Sequence, residues 1–553
     1  MPAAGARSAI GFTFVGGLAV ACLFSVSAQA SAITGNAPGI GRYEIHTVPI
    51  EPGVILRSAT FTPAGKILVN FARSEKQDRR QVELATMDYD GHNMRTFFSG
   101  IVPVRPKDNG LRFMIFPDNK RIFMGDYVLE CVSVLENCSH PTLVPVTYPK
   151  EVADGPHVMY RWSEMIVAPD NHHVAWTTLF NNGAAAAFTA ELRKQGAGYV
   201  MAMPRIVSTL DPFIKDPKHA DGVIPQPTRG GEVKQFVHGG TAISAVGAGL
   251  RDTPDSTVLN LATGEVERIT DTPGYTETTI FSPDERLGVT MTTRFSQSDP
   301  AILGLMPRPY PGALNVGLAW AAYTYGVTGV RAGRLGNIGP ALIEIAKSKV
   351  QPGYQGVNLS TSDEWVFNSP LSWHPNGTMA LWPESRRGDR AGSRRIQMVR
   401  LLDYKPRRPV QSRLTSTTMP QAISDLSVLN DYAAEARAID VKVYGKGSGY
   451  IRYRRSAEGG VEKIYADFND GDGQVYSGQE TMQANPHGES TYTADVRLTG
   501  PHPGTMALKI TFGPLSGPLP AEVLFTPGND GKPRTRGYVE YDGRRIEAAS
   551  MVP

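Results

Sequence analysis

One short phrase recurs along this chain and constrains its fold more than any other feature: apolar residues, a proline-centred polar turn, then an apolar strand. Its five copies occupy residues 61–66, 116–120, 168–171, 281–286 and 373–377. Proline fixes φ, Asp or Asn tolerates the turn, and Gly or Asn accepts a positive φ. Each copy therefore predicts two antiparallel strands joined by a tight hairpin.

Two further strands follow several copies, most clearly within residues 256–270. Four short strands at a spacing of about 40 to 50 residues are typical of a propeller blade. The phrase resembles the F-S-P-D-G-K-x-I-A-F repeat of the TolB-like, WD40-like (PD40) propeller family, over residues 41–412. The resemblance implies an all-β propeller of about six blades, with seven also compatible. A degenerate blade lies around residues 237–240, and a strand at 42–49 could help to close the ring.

Outside the repeats, the sequence predicts three further segments. The spacing of the repeats is interrupted near residues 306–349. Helix-compatible residues at 313–322 and 340–346 there indicate a partly helical insertion between blades. This insertion could pack as a plug or lid, or contact a membrane or partner. The propeller would span residues 31–412, and a linker would span 413–432. Alternating strands such as 439–444 and 491–498 then predict a β-sandwich-like domain over 433–553.

The N-terminus has the layout of a secretory signal: Arg7, an apolar stretch at 9–26 and a small-x-small site ending at Ala30. We expect cleavage of residues 1–30 and a periplasmic or secreted protein. The alternative is a lipobox that makes Cys22 a lipidated N-terminus. Cleavage after Ala30 leaves Cys131 and Cys138, which predict a disulfide in an oxidising compartment; two unpaired buried thiols are the alternative.

The composition and the motif search narrow the function. A net charge of +3 gives no reason to expect nucleic acid. Residues 312–330 are uncharged but contain Gly, Thr, Tyr and Asn, so we expect no membrane span in the mature chain. The sequence contains no G-x-S-x-G, Walker A or H-E-x-x-H motif, and 470–473 fits a hairpin turn better than a calcium loop.

Blade geometry sorts the remaining candidates into two faces. His172, His173 and His374 fall in the proline turns, where we expect structural roles, and His238 cannot be placed. The opposite face should gather side chains around a central mouth. Its candidate catalytic residues are His157, Tyr160 and Glu277; its candidate ligand-binding residues are Arg73, Arg161, Tyr275, Arg294, Glu384 and Arg386; Asp108 and Asp363 lie there too. Arginine suits planar anions, and histidine can act as a base or a metal ligand.

Three functions fit these predictions. The first is an exported recognition module that binds an anionic or carbohydrate-like ligand, or a protein segment, at the mouth. The second is a lyase or hydrolase acting there on an acidic saccharide or another small molecule, with a base such as His157 and a divalent cation as an optional cofactor. The third is an envelope scaffold that contacts partner proteins. Ligand identity, metal dependence and oligomeric state stay open at this stage.

Overall fold

The computed structural model describes residues 32–296, 300–317, 338–388, 393–416, 418–434, 438–485, 487–514 and 521–551. The predicted signal peptide lies outside these residues. The described chain is all-β, with only short helices: α1 (Lys150–Ala153), α2 (Ile345–Val350), α3 (Leu429–Tyr432) and 3-10 turns at Leu135–Asn137, His238–Gly240, Pro300–Leu303, Leu426–Val428 and Ala548–Met551. Among the described helices, none has the length and apolar character that a membrane crossing requires.

Groups of antiparallel strands, here called units 1 to 6, follow one another up to residue 401. Units 2 and 3 are joined into one eight-stranded sheet, because their last strands pair in parallel at Val146 opposite Tyr199 and Thr147 opposite Val200. Two strands, β1 (Ile33–Ala37) and β2 (Gly41–Val48), precede them. Unit 1 consists of β3 (Ile55–Phe61), β4 (Ile67–Ala72), β5 (Gln81–Met87) and β6 (Arg95–Ile101). Unit 2 consists of β7 (Met114–Ile115), β8 (Arg121–Phe123), β9 (Tyr127–Glu130) and β10 (Thr142–Thr147). Unit 3 consists of β11 (Val158–Val167), β12 (His173–Phe180), β13 (Ala185–Gln195) and β14 (Gly198–Ile206).

A hairpin of β15 (Phe213–Lys215) and β16 (Val223–Pro225) separates unit 3 from unit 4. Unit 4 consists of β17 (Glu232–Val237), β18 (Ala242–Ala248), β19 (Pro254–Asn260) and β20 (Val266–Arg268). Unit 5 consists of β21 (Thr276–Phe281), β22 (Leu287–Thr292), β23 (Pro340–Glu344) and β24 (Val357–Asn358). Unit 6 consists of β25 (Trp365–Phe367), β26 (Ser372–Trp373), β27 (Met379–Arg386) and β28 (Arg394–Leu401).

The recurrent phrase forms the predicted hairpin between the first two strands of units 1, 2, 3 and 5. In unit 6 it joins β26 to β27, because β25 and β26 both pair with β27. In every copy a backbone N–H donates to the carbonyl three residues earlier, and this donor residue has a positive φ; these residues are Gly65, Asn119, Asn171, Glu285 and Gly377. Glycine and asparagine tolerate this conformation. Glu285 does not share that tolerance, but its carboxylate accepts a hydrogen bond from the backbone N–H of His238 at 2.6 Å.

Neighbouring units contact each other through hydrogen bonds close to their first strands. These bonds join Thr62 to Glu136, Arg112 to Ser163, Thr177 to Val233, Gln235 to Phe281, Trp373 to Ile280 and Thr60 to Ser372. The last bond connects unit 6 back to unit 1, so the contacts run around a ring. The predicted all-β propeller is therefore confirmed.

The N-terminal strand completes unit 6. β2 pairs antiparallel with β28 from Tyr43 opposite Leu401 to Val48 opposite Ile396. Beside this pairing, the Arg42 guanidinium donates to both carboxylate oxygens of Asp403 at 2.9 and 2.8 Å. The predicted strand at 42–49 thus joins the two ends of the propeller.

The C-terminal segment forms one sheet of eight strands in consecutive order. They are β29 (Ile439–Tyr444), β30 (Ser448–Arg455), β31 (Val461–Asn469), β32 (Val475–Gln483), β33 (Ser490–Thr499), β34 (Gly504–Phe512), β35 (Arg536–Tyr541) and β36 (Arg544–Glu547). This differs from the two-sheet sandwich that the sequence suggested. Buried and less buried residues alternate along β33, because the sheet curls around its own core.

The predicted insertion lies within unit 5, between β22 and β23, and not between blades. Residues 340–344, predicted as helical, form β23 because they pair with β22. Residues 300–317, which include the start of the predicted insertion, bury Ile302, Met306 and Leu314 in the core of the C-terminal sheet. They therefore pack as a plug in that sheet. The predicted helix at 313–322 is wrong for residues 313–317, which form a turn and irregular structure, and residues 318–322 lie outside the described residues.

The segment from Tyr404 to the start of the predicted linker at 413–432 is held along the turn face of the propeller. The Asp284 carboxylate accepts hydrogen bonds from the Tyr404 hydroxyl and the Arg407 backbone, each at 2.9 Å. Farther along, the Asp170 carboxylate accepts the Thr415 backbone N–H at 2.9 Å. The acidic residues of the turn phrase thus bind the segment that leads to the C-terminal sheet. The predicted disulfide between Cys131 and Cys138 is also formed, next to β9.

A buried ion pair joins the insertion to the C-terminal sheet and provides a test of this packing. Arg308 donates to Glu480 at 3.0 Å, and both side chains are fully buried. We expect Glu480→Gln to lower the free energy of unfolding by about 3–5 kcal/mol, because the buried Arg308 keeps its charge but loses its nearest counterion, and Asp252 remains only at 3.9 Å. Guanidinium unfolding followed by circular dichroism measures this loss.

The matched control is Glu462→Gln in the same sheet. Glu462 pairs with Arg454 at 3.0 Å, but both side chains are partly exposed, so the cost should stay below about 1 kcal/mol. Equal costs for the two variants would contradict the proposed attachment of the insertion.

Candidate functional site

The first strands of the units surround a central channel that contains a cavity of about 150 Å³. Every unit contributes to its wall. The polar or charged lining residues include Ser58, Thr60, Asn70, Arg112, Glu164, Lys234, Glu277, Thr278 and Ser369. The apolar lining residues include Phe113, Met114, Met165, Ile280, Met291, Phe367 and Leu371. A cavity of this volume holds about one ring-sized group.

Lys234 is the centre of a charge network in this channel. Its ammonium group lies 2.8 Å from the Glu232 carboxylate, 3.3 Å from Glu277 and 3.7 Å from Glu164. The Arg112 guanidinium extends the network, because it lies 2.9 Å from the Glu164 carboxylate. Three carboxylates thus face two cations in a channel whose remaining wall is mostly apolar.

Burial and neighbouring charges shift the pKa values of these groups in opposite directions. Burial alone would lower the pKa of Lys234, but the three glutamates outweigh it and the pKa is raised. Burial raises the pKa of Glu164, and Lys234 and Arg112 offset this only in part. For Glu232, burial is outweighed by Lys234, so its pKa is lowered. Lys234 is therefore a fixed cation, and Glu164 is the carboxylate that gains a proton most readily.

Two predicted residues belong to this network. Glu277 lines the cavity, and the hydroxyl of Tyr275 donates to its second carboxylate oxygen at 2.5 Å. Tyr275 itself is fully buried and packs in the core between units 5 and 6. Tyr275 thus positions Glu277 and has no surface of its own for a ligand.

The structure places two other predicted ligand residues in buried ion pairs. Arg161 contacts Asp126 at 2.6 Å with both side chains buried. Glu384 accepts hydrogen bonds from the Trp382 indole at 3.0 Å and from Arg395 at 2.7 Å. Both residues hold strands together, which corrects their prediction as ligand contacts.

The remaining predicted residues spread around the mouth. Arg73 is exposed and pairs with Glu83 at 3.2 Å. Arg294 donates to the carbonyl oxygens of Tyr354 and Gln355. Arg386 and Asp363 are exposed, whereas His157 and Tyr160 are half-buried at the start of β11. The structure does not bring these residues together into one cluster.

Sequence reasoning missed Lys234, Glu232, Glu164 and Arg112. The available signal was the occurrence of charged residues within or next to inner strands, as in the run 232–237 of β17. Such strands face a core and seldom carry unpaired charges. Charges there indicate a polar channel, but their partners come from different units.

The C-terminal sheet covers the mouth side of units 4 and 5. Arg251, in the loop after β18, donates to the Leu305 carbonyl of the insertion at 2.6 Å. The hairpin of β15 and β16 contacts β29 through Gly222 and Lys442. These contacts place the insertion and the C-terminal sheet beside unit 4 and the hairpin that precedes it.

Within the part of the chain that the structure describes, no group of three or more His, Cys, Asp or Glu side chains is arranged to hold a metal ion. The divalent cation considered from the sequence stays a prediction.

No family model matches the chain, and no curated protein matches it. Similar solved structures include a putative TolB from Agrobacterium tumefaciens, with 12% identity, a TM-score of 0.31, and coverage of 54% of this chain and 76% of that one. TolB from Acinetobacter baumannii shares 15% identity at a TM-score of 0.29, with 63% of each chain covered. An oligogalacturonate lyase in complex with manganese shares 11% identity at a TM-score of 0.33, with coverage of 68% and 96%. At these scores the likeness carries no argument about activity.

Replacing Lys234 by methionine tests the network. The variant leaves Glu164, Glu232 and Glu277 with less countercharge, so we expect a loss of about 3–5 kcal/mol at neutral pH. Because Glu232 has a lowered pKa, its stabilisation is present above its unfolded pKa and is lost as the pH falls. The difference in Tm between the two proteins should therefore shrink below about pH 5, where carboxylates gain protons.

Lys442→Met is the control, because Lys442 on the C-terminal sheet pairs with the exposed Asp221 in the loop between β15 and β16. Its effect should stay below about 1 kcal/mol. A Lys234→Met variant as stable as this control would show that the network contributes little.

Proposed function

We propose that this protein is a TolB-like, six-bladed propeller that acts as an exported recognition module. Its channel binds one ring-sized part of an anionic or carbohydrate-like small molecule. The observation that carries this proposal is the cavity lined by all six units, in which apolar side chains surround a few convergent charged groups. Ligand sites in proteins commonly have this composition.

The charge network can orient a polar ligand in the cavity. Glu164 and Glu277 offer acceptors, and Arg112 and Lys234 offer donors, within one small space. The methionine and phenylalanine side chains give the face of a ring an apolar surface. Because the groups are already paired with one another, a ligand must exchange hydrogen bonds with them, which favours specificity over nonspecific adsorption.

Export is supported by two features. The N-terminal residues have the layout of a signal peptide, and the disulfide between Cys131 and Cys138 requires an oxidising compartment to persist. A periplasmic or secreted location follows from this proposal.

The test is a substitution that places a larger side chain in the cavity. Thr278 lines it, so Thr278→Phe should occupy part of its volume and weaken ligand binding at least tenfold. We would screen neutral and acidic monosaccharides and small aromatic acids against the purified protein by ligand-observed NMR. Binding to the wild type with loss in the variant supports the proposal.

The control is Thr96→Phe, which adds the same side chain at an exposed position on β6. This variant should bind like the wild type. If hits bind Thr278→Phe as well as the wild type, the channel is not the binding site.

A second candidate, a lyase or hydrolase, is favoured by Asp108. Burial and the nearby Asp126 raise its pKa to about 6, while Arg161 holds Asp126. The loop of Asp108 lies beside the start of β11, since the Arg161 N–H donates to the Lys107 carbonyl at 3.0 Å. A half-buried carboxyl that exchanges its proton near neutrality can serve as a general acid or base for a substrate at this mouth.

Asp108→Asn tests this assignment. The raised pKa means that the wild type loses stability as pH rises from about 4 to about 6, because the unfolded chain releases this proton earlier. The Tm of the variant minus that of the wild type should therefore increase across this window and stay constant above it. Turnover of acidic oligosaccharides, assayed with and without added Mn²⁺, should disappear in the variant.

The exposed Asp363→Asn is the control and should leave both the pH dependence and any turnover unchanged. Turnover that survives in Asp108→Asn would remove Asp108 from the chemistry, and no turnover in the wild type would favour the recognition module.

A further inference from the structure

Three arginines meet at the mouth side of the junction between units 6 and 1. Arg57 lies near the start of β3, Arg79 lies in the loop between β4 and β5, and Arg394 begins β28. Arg57 donates to the Gln81 carbonyl at 2.9 Å and to the Arg79 carbonyl at 3.5 Å. Arg394 donates to the carbonyl of Arg57. We call these three residues the arginine rim.

Within the described part of the chain, the rim forms no ion pair of its own, although Glu83 and Asp78 partly offset the lowering of the Arg57 pKa by burial and by Arg79. Among the described residues, none of the three arginines forms an ion pair with a carboxylate. Their neighbours differ in this respect, since Arg73 pairs with Glu83 and Arg80 with Asp78. Burial lowers the pKa of Arg394, and the charges of Arg57 and Arg79 lower it further. Like charges held this close are stabilised when an anion binds between them.

The rim is adjacent to the cavity along β3. Ser58, the residue after Arg57, lines the cavity wall, and Arg79 and Arg394 are exposed. A molecule with its ring in the channel could therefore place an attached anionic group at the rim. Guanidinium groups match carboxylate and phosphate through paired N–H donors.

We propose that Arg57, Arg79 and Arg394 bind the carboxylate or phosphate of the ligand whose ring occupies the channel. The part concerning the ring rests on the proposed function, and the anion site itself does not. The ligand class is then a sugar acid or a sugar phosphate. This assigns the anionic recognition to residues other than the arginines predicted from the sequence.

The experiment measures binding of pyrophosphate and citrate by isothermal titration calorimetry at 0.15 M NaCl, where the Debye length is about 8 Å and long-range attraction is screened. We expect saturable binding to the wild type and at least a tenfold loss in the double variant Arg79→Ala and Arg394→Ala. Stronger binding of pyrophosphate indicates a phosphate ligand, and stronger binding of citrate indicates a carboxylate ligand.

The matched control removes the two paired neighbours, Arg73→Ala with Arg80→Ala, which changes the net charge by the same amount. It should keep binding within about threefold of the wild type. The lysine variant, Arg79→Lys with Arg394→Lys, reports on folding and charge and should retain measurable binding. No saturable binding to the wild type, or equal losses in the test and control variants, overturns the arginine rim.

The cavity variant separates the two proposals. Pyrophosphate and citrate contact only the rim, so Thr278→Phe should bind them like the wild type. If these anions bind and no ring compound does, only the proposal that the channel binds a ring is contradicted. If ring compounds bind and the anions do not, only the proposal that the arginine rim binds an anion is contradicted.

Discussion

The pairing of β2 with β28 is the interaction on which the rest of the propeller depends. It joins residues 41–48 to residues 394–401, and the bidentate contact of Arg42 with Asp403 adds a charged bond beside it. Closing so long a loop costs conformational entropy, but this cost grows only slowly with length. Once the ring is closed, the first strands of all units face one channel. Without closure the cavity would have no complete wall.

The channel imposes a second constraint, because charges placed there must satisfy one another. Lys234 contacts glutamates from units 3, 4 and 5, so a single cation links three separate sheets. The apolar side chains around this network leave space for a small group. The C-terminal sheet, attached through Arg308 and Glu480, restricts access from one side. Recognition would thus depend on both domains, although only the propeller lines the cavity.

Much of the architecture was predictable because it is encoded in short stretches. The proline turns specified the hairpins, and the buried pairing of His173 with Asp170 at 2.6 Å agrees with the structural role expected for histidines in these turns. The candidate site was predictable only in part: Glu277 lies in the channel, but Arg161 and Glu384 are used in buried ion pairs. The sequence shows which charged residues lie near the ends of strands. It does not show which side chain from another unit will neutralise each charge.

By itself the sequence determined the repeated hairpin and the all-β class, since turn chemistry and strand alternation act over a few residues. The tertiary structure decided the rest: that the insertion belongs to unit 5 and fills the C-terminal sheet, that this sheet is continuous, and that Lys234 and the arginine rim lie at the channel. These outcomes depend on contacts between residues tens to hundreds of positions apart. Burial and pairing of charges are properties of the assembled ring, so no local pattern contains them.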